Sequence, residues 1–167
     1  GGFETGDLNP WGGSGIITCS TDPAFAHTDN GSAAFLAFIL PSELFQDITT
    51  VAGHQYLVEF WAFSGEVPFS STFEATFGAG GLSIGSNLTD SYTRCSFVTT
   101  ALGPLTRLSF TTNPDPQGST TDTCFLDDVS VTDLSAPEIH PSQSALPLGL
   151  AIGMLLLVRS RRRLCAG

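Results

Sequence analysis

Lysine is absent from this chain, and arginine is scarce: Arg94, Arg107, Arg159, Arg161, Arg162 and Arg163 are its only strong bases, against sixteen acidic residues. A body this poor in cations repels phosphate backbones, which excludes nucleic acid as its partner. Cysteine is also sparse. Cys19, Cys95, Cys124 and Cys165 form neither a Cys-x-x-Cys pair nor a cluster with histidine, so their spacing argues against zinc. The three cysteines of the body permit at most one internal disulfide, and buried small apolar thiols are an equal reading.

Catalytic constellations are missing as well. His27, His54 and His140 are scattered, and no Gly-x-Ser-x-Gly elbow occurs; Gly13-Ser14-Gly15 reads as a turn. Glu59 and Glu74 could supply the carboxylate pair of a glycosidase if neighbouring strands held them about 5–9 Å apart. Any acidic β-protein offers such pairs by chance, so the chain reads as non-catalytic. It begins at Gly1, without a methionine or an apolar leader, and this reads as a processed chain or a fragment with an export signal upstream.

What is present is strongly segregated. Fifteen of the sixteen acids lie in residues 1–133 with two of the arginines, whereas the last nine positions hold the other four. An acidic body of this kind suits a soluble protein outside the cell, or one that meets cations or neutral polymers, and by itself selects no ligand. From Ile16 to Thr132 the pattern is short alternating runs cut by Gly, Pro, Asn and Ser, with no helical period. Strands are predicted over Ile16–Cys19, Ala33–Ile39, Leu44–Thr50, Gln55–Phe63, Ser71–Phe77, Tyr92–Thr100, Leu105–Thr111 and Cys124–Thr132. About eight strands at this spacing predict an all-β, two-sheet jelly-roll sandwich over residues 1–134. Period-2 alternation places Tyr56, Val58 and Phe60 in the core and Leu57, Glu59, Trp61 and Phe63 on the opposite face. Likewise Phe73, Ala75 and Phe77 face inward, and Glu74 lies on a solvated face.

Beyond the body the texture changes. Residues 135–144 are a Pro- and Ser-containing linker, 145–158 an uncharged apolar run read as a short transmembrane helix, and 159–167 a basic tail. Fourteen helical residues rise about 21 Å, short of the ~30 Å hydrocarbon core. As a permanent anchor the run is marginal. The arginines that follow it belong on the cytoplasmic side, which would turn the body outward.

This tail, Ala136-Pro137-Glu138-Ile139-His140-Pro141 followed by the apolar run and then Arg159, Arg161, Arg162 and Arg163, resembles the PEP-CTERM sorting signal of Gram-negative bacteria. Ile139 stands where the commonest form has proline. The resemblance implies export, a transient stay in the inner membrane, processing by an exosortase-type enzyme, and a place at the cell surface or in the extracellular matrix. The body resembles carbohydrate-binding-module-like, galactose-binding-like jelly rolls. The resemblance is carried by Gly1-Gly2-Phe3-Glu4-Thr5-Gly6 with Trp11, by Gln46 to Tyr56 running into Phe60-Trp61-Ala62, and by Phe125-Leu126-Asp127-Asp128-Val129-Ser130-Val131.

That second resemblance implies a structural calcium ion held by Glu4 and Asp127, with Asp128 a weaker candidate. Asp127 alternates in phase with Phe125, Val129 and Val131, so it is expected to point toward the core, where a lone carboxylate needs a partner. For a sugar ligand, Trp61 flanked by Glu59 and Glu74 is the expected constellation, with Trp11 and Tyr92 as lesser candidates. The expected function is a carbohydrate-binding or structural module of exopolysaccharide or biofilm. The competing reading is a permanently anchored, single-pass adhesion ectodomain that binds a protein partner.

Overall fold

The computed structural model describes residues 2–37, 40–66, 68–115 and 122–135. The expected sorting motif (Pro137, Glu138, Ile139), the apolar run 145–158 and the arginines from Arg159 to Arg163 lie outside the described residues. So does Ile39, the end of one predicted strand.

Ten strands follow one another: β1 (Gly12–Ser14), β2 (Ile17–Ser20), β3 (Ser32–Ala37), β4 (Ser42–Thr49), β5 (Gln55–Ser64), β6 (Thr72–Phe77), β7 (Gly80–Gly85), β8 (Thr93–Thr100), β9 (Leu105–Asn113) and β10 (Asp122–Asp133). They form two antiparallel five-stranded sheets, ordered β1-β4-β9-β6-β7 and β2-β3-β10-β5-β8. The all-β sandwich expected from the alternation is therefore present, with two strands more than the eight predicted. The additions are the glycine-rich β1 and β7. Glycine weakens a strand and reads as a turn, so Gly80-Gly81 hid β7. Gly78 makes the hairpin possible: its φ of +60° is open to glycine and strained for most other residues.

The two sheets meet on aromatic side chains. On β5, Tyr56, Val58 and Phe60 are buried while Leu57, Glu59 and Trp61 are half-buried; on β6, Phe73, Ala75 and Phe77 are buried. Both phases are those that the alternation requires. Phe60 meets Phe110 of β9 edge to face, with ring centroids 5.0 Å apart at 78°, and Phe35 meets Phe73 at 5.7 Å and 77°. These contacts cross from one sheet to the other, so each ring supports both layers. Burying one such side chain contributes about 1.5–3 kcal/mol, and a void left by its removal adds to the loss.

The last strand departs from simple alternation. Asp127 pairs with Trp61 and Ser130 with Glu59, so three steps along β10 face two along β5, and Asp128 adopts φ +50°. This is a β-bulge. It reverses the phase: Cys124, Leu126 and Val129 pack in the inter-sheet core, whereas Phe125 and Asp127 share the outer face with Phe63 and Trp61. The expectation that Asp127 points inward with Val129 and Val131 is thereby corrected. One extra residue lies between them.

Phe60→Ala should destabilise the sandwich by about 3–5 kcal/mol in urea unfolding followed by far-UV circular dichroism. A loss below about 1 kcal/mol would mean that Phe60 is not a shared support of both sheets.

Candidate functional site

A strap covers part of the outer face of the second sheet, while Arg94, Ser96 and Val98 of β8 and Ser130 and Thr132 of β10 stay exposed. Asp22 caps a 3-10 turn over Pro23–Phe25 by accepting the Ala24 N–H, and the chain continues across the sheet as a strap. Phe25 stacks on Phe125 (4.6 Å, 4°), and the Tyr92 hydroxyl donates to the Phe25 carbonyl at 2.8 Å. His27 lies flat on Trp61 with ring centroids 3.9 Å apart, and its Nδ1 sits 2.7 Å from Asp128 Oδ2. One face of Trp61 is thus occupied by imidazole. Its neighbour Glu59 forms an ion pair with Arg94 across β5 and β8.

Beneath the strap, Asp127 is fully buried and accepts backbone N–H groups from His27 (2.9 Å), Thr28 (3.2 Å) and Asp128 (2.7 Å). Burial pushes its carboxyl up, and those three N–H groups only partly oppose the shift. Asp128 behaves the other way. Burial again works against its charge, but hydrogen bonds from His27 and Thr28 win, and its carboxyl is held below the usual range. Glu4 accepts the N–H groups of Asn30 (2.8 Å) and Gly31 (3.2 Å). Gly31 must be glycine, because a Cβ there would lie 2.3 Å from the Phe3 carbonyl oxygen. The structure brings the expected calcium pair together: a methyl group built on Gly2 would lie 3.0 Å from Glu4 Oε1 and 3.7 Å from Asp127 Oδ1. Among the described residues no three His, Cys, Asp or Glu side chains converge. Two carboxylates fall short of the six to eight oxygens calcium takes, so main-chain carbonyls and water would complete its shell.

Glu74 does not join Glu59 and Trp61. It lies on β6, in the other sheet and on that sheet's outer surface, so the predicted sugar constellation and the carboxylate pair are both divided by the whole thickness of the sandwich. Its partners there are different. Register places Ser14 beside Glu43, Glu43 beside Thr111, Thr111 beside Glu74 and Glu74 beside Ser83. Five polar side chains therefore form one line across five strands, about 4.8 Å apart. Ser109 donates to Glu43 Oε1 at 2.6 Å, and Ser83 to Glu74 Oε1 at 3.4 Å.

A groove of about 480 Å³ meets this line at Glu43 and Thr111 and runs from there along β9, past Ser109, Arg107 and Thr76 of β6, to Leu102 and Leu105 at its other end. Arg107 closes its flank. The guanidinium sits 4.0 Å from the centre of the Phe45 ring and donates twice to Asp47, from Nε at 2.8 Å and Nη2 at 3.1 Å. That hydrogen-bonded pairing holds the Asp47 carboxyl below its ordinary value. A face built of carboxylates and hydroxyls, in which Arg107 is already paired with Asp47, can hydrogen-bond a hydroxyl-rich neutral chain. Sequence reasoning missed Glu43, Ser109 and Thr111. The signal was the polar alternation of Glu43-Phe45-Asp47 and Arg107-Ser109-Thr111, but the strand was begun at Leu44, one residue past Glu43.

Asp122, at the start of β10, is 1% exposed. Burial works against its charge, but hydrogen bonds from Ser70 and Ser71 outweigh burial and lower its carboxyl pKa. A folded-state value below the unfolded one gives stabilisation that is present above about pH 4 and is lost as pH falls through the lowered value. Asp122→Asn should cost about 1–3 kcal/mol at pH 7, and the gap to wild type should narrow as pH drops below about 4. A gap that stays constant with pH in thermal melts would contradict this sign.

No family model matches the sequence, and no curated protein matches it. Solved structures do. The chain aligns with TmCBM61, solved in complex with β-1,4-galactotriose, at 18% identity and a TM-score of 0.62, covering 79% of this chain and 94% of that one. The xylan-binding CBM22-1 domain of Paenibacillus barcinonensis Xyn10C aligns at 11% identity and 0.60, over 81% and 93% of the two chains. The K1 cleaved adhesin domain of Lys-gingipain from Porphyromonas gingivalis W83 aligns at 13% and 0.60, over 80% and 96%. At these identities the likeness concerns the fold: a jelly-roll sandwich shared mainly with carbohydrate-binding modules. Some other matches are parts of enzymes.

Proposed function

We propose that this chain is the carbohydrate-binding module of an exported, non-catalytic protein, and that it holds an uncharged polysaccharide along the outer face of the first sheet. The observation that carries this reading is the line Ser14–Glu43–Thr111–Glu74–Ser83 together with the groove that meets it at Glu43 and Thr111. A neutral glycan offers hydroxyl donors to the two carboxylates and acceptors to the three hydroxyls, and the acidic body disfavours anionic chains. The fold adds support, because the solved modules that share it include one bound to β-1,4-galactotriose and one named for xylan binding. β-1,4-linked galactose chains and xylan head the panel to be tested.

A glycan array probed with wild type, Glu43→Gln, Glu74→Gln and Trp61→Ala separates the faces. Each glutamine variant should weaken binding to the recognised glycan by about tenfold or more, the loss expected for a charge-assisted hydrogen bond, and Trp61→Ala should bind as wild type. If Trp61→Ala abolishes binding instead, the strapped face of the second sheet is the ligand site and the groove reading fails. Release of reducing sugar that disappears in either glutamine variant would make the protein an enzyme.

The calcium ion belongs to the same proposal, with Glu4 and Asp127 as its ligands and its role the tying of the first residues to β10. What supports it is the buried, charge-disfavoured Asp127 carboxylate, whose Oδ1 shares the Gly2 side with Glu4 Oε1. Adding about 1 mM calcium should raise the melting temperature of wild type and leave Asp127→Asn unchanged. No response in wild type would remove the ion from the account.

For the tail, the reading is a PEP-CTERM-like signal cut by an exosortase-type enzyme, which delivers the module to exopolysaccharide or biofilm at the surface of a Gram-negative cell. Its support is the order of Pro137-Glu138-Ile139, apolar run and arginines in the sequence. Intact mass of the mature surface protein should lack this tail. A mature protein that keeps the tail would favour the anchored adhesion ectodomain.

A further inference from the structure

We propose that a second site, a slot at the flank of the sandwich, takes the acetamido group of an N-acetylated hexosamine. The slot follows from strand lengths. Among the described residues, β1 pairs with β4 only along Glu43–Phe45, and β3 pairs with β10 only along Asp122–Leu126. Among the described residues the later halves of β4 and β10 therefore pair with no further strand on that side. Between them a cavity of about 280 Å³ opens, walled by Ile48, Leu108, Val129 and Val131 and rimmed by Trp11 and Gln46. This volume lies near the lower limit for ligand pockets, which suits one ring and a substituent rather than a chain.

Its lining selects the substituent. Gln46 faces inward in phase with Leu44 and Ile48, and its carboxamide has no hydrogen-bond partner among the described residues. A primary carboxamide donates from its NH₂ and accepts at its oxygen, so its natural complement is another amide, whose carbonyl takes the NH₂ and whose N–H reaches the oxygen. The four aliphatic walls favour a methyl group beside that amide, and hydroxyls there would lose hydration without return. Among the described residues no charged side chain lines the slot, so a protonated amine would find no counter-charge from them. Trp11 is held at the rim by Phe3 (5.9 Å) and Phe110 (6.0 Å) and offers its indole to the apolar face of the sugar ring. An amide, a methyl and a ring in that order describe an N-acetylhexosamine. The inference rests on the polysaccharide reading for the sugar ring alone; the acetamido contact is argued from the slot itself.

The test uses the full chain, which has two tryptophans, so its two indole N–H signals can be assigned with Trp61→Phe and followed by NMR. N-acetylglucosamine or N-acetylgalactosamine at about 10 mM should move the Trp11 signal, while glucose, galactose and glucosamine at the same concentration leave it in place. Gln46→Leu, which keeps the slot apolar and the fold intact, should weaken the response at least tenfold, whereas Glu43→Gln should preserve it. The proposal is overturned if neither N-acetyl sugar moves Trp11, if glucose or galactose moves it equally, or if Gln46→Leu responds as wild type. A silent slot in a protein whose groove still binds polysaccharide would overturn this inference alone; loss of both would overturn the polysaccharide reading with it.

Discussion

One extra residue in β10 organises this molecule. Without the bulge at Asp128, strict alternation would turn Asp127 away from the strap or Val129 out of the core. With it, the strand is largely buried on both faces as far as Val129. Cys124, Leu126 and Val129 join the inter-sheet core, and Phe125 and Asp127 anchor the segment that crosses the outer face. The N–H groups of His27 and Thr28 have an acceptor because the Asp127 carboxylate lies under them. A buried acceptor of this kind is costly to leave unpaired, so strap and strand specify each other.

This constraint also distributes function between the two surfaces. The second sheet spends its aromatic side chains, His27 on Trp61 and Phe25 on Phe125, on holding the strap down. Among the described residues the outer face of the first sheet carries no comparable strap. Its side chains are arranged by register alone, because neighbouring antiparallel strands place directly opposed residues on the same side. The line from Ser14 to Ser83 is a product of pairing, not of any local motif. Such a line suits a ligand that repeats along its length and offers hydroxyls, which is the chemistry of a polysaccharide.

The parts legible in the sequence were those with a local period. Tyr56-Val58-Phe60 and Phe73-Ala75-Phe77 announce their burial by alternation, and the sandwich follows from them. What stayed hidden was non-local or contrary to propensity. The glycines of β7 mask a strand that exists because β6 offers it a partner. Asp127 was assigned the wrong side because a bulge has no signature in side-chain alternation. Trp61 and Glu59 were read correctly as outward-facing, but nothing in their own segment reveals that His27 and Arg94 would reach them. Glu74 was singled out with partners from the opposite sheet; those beside it, Thr111 and through it Glu43, are distant in sequence and meet it only through the strand order.

The most direct test is chemical-shift mapping of the isotopically labelled chain during titration with a neutral β-linked polysaccharide that it binds. The account predicts that the largest backbone perturbations fall on Glu43, Thr111 and Glu74 and their neighbours on β4, β9 and β6. Perturbations centred instead on His27, Trp61 and Tyr92 would contradict it.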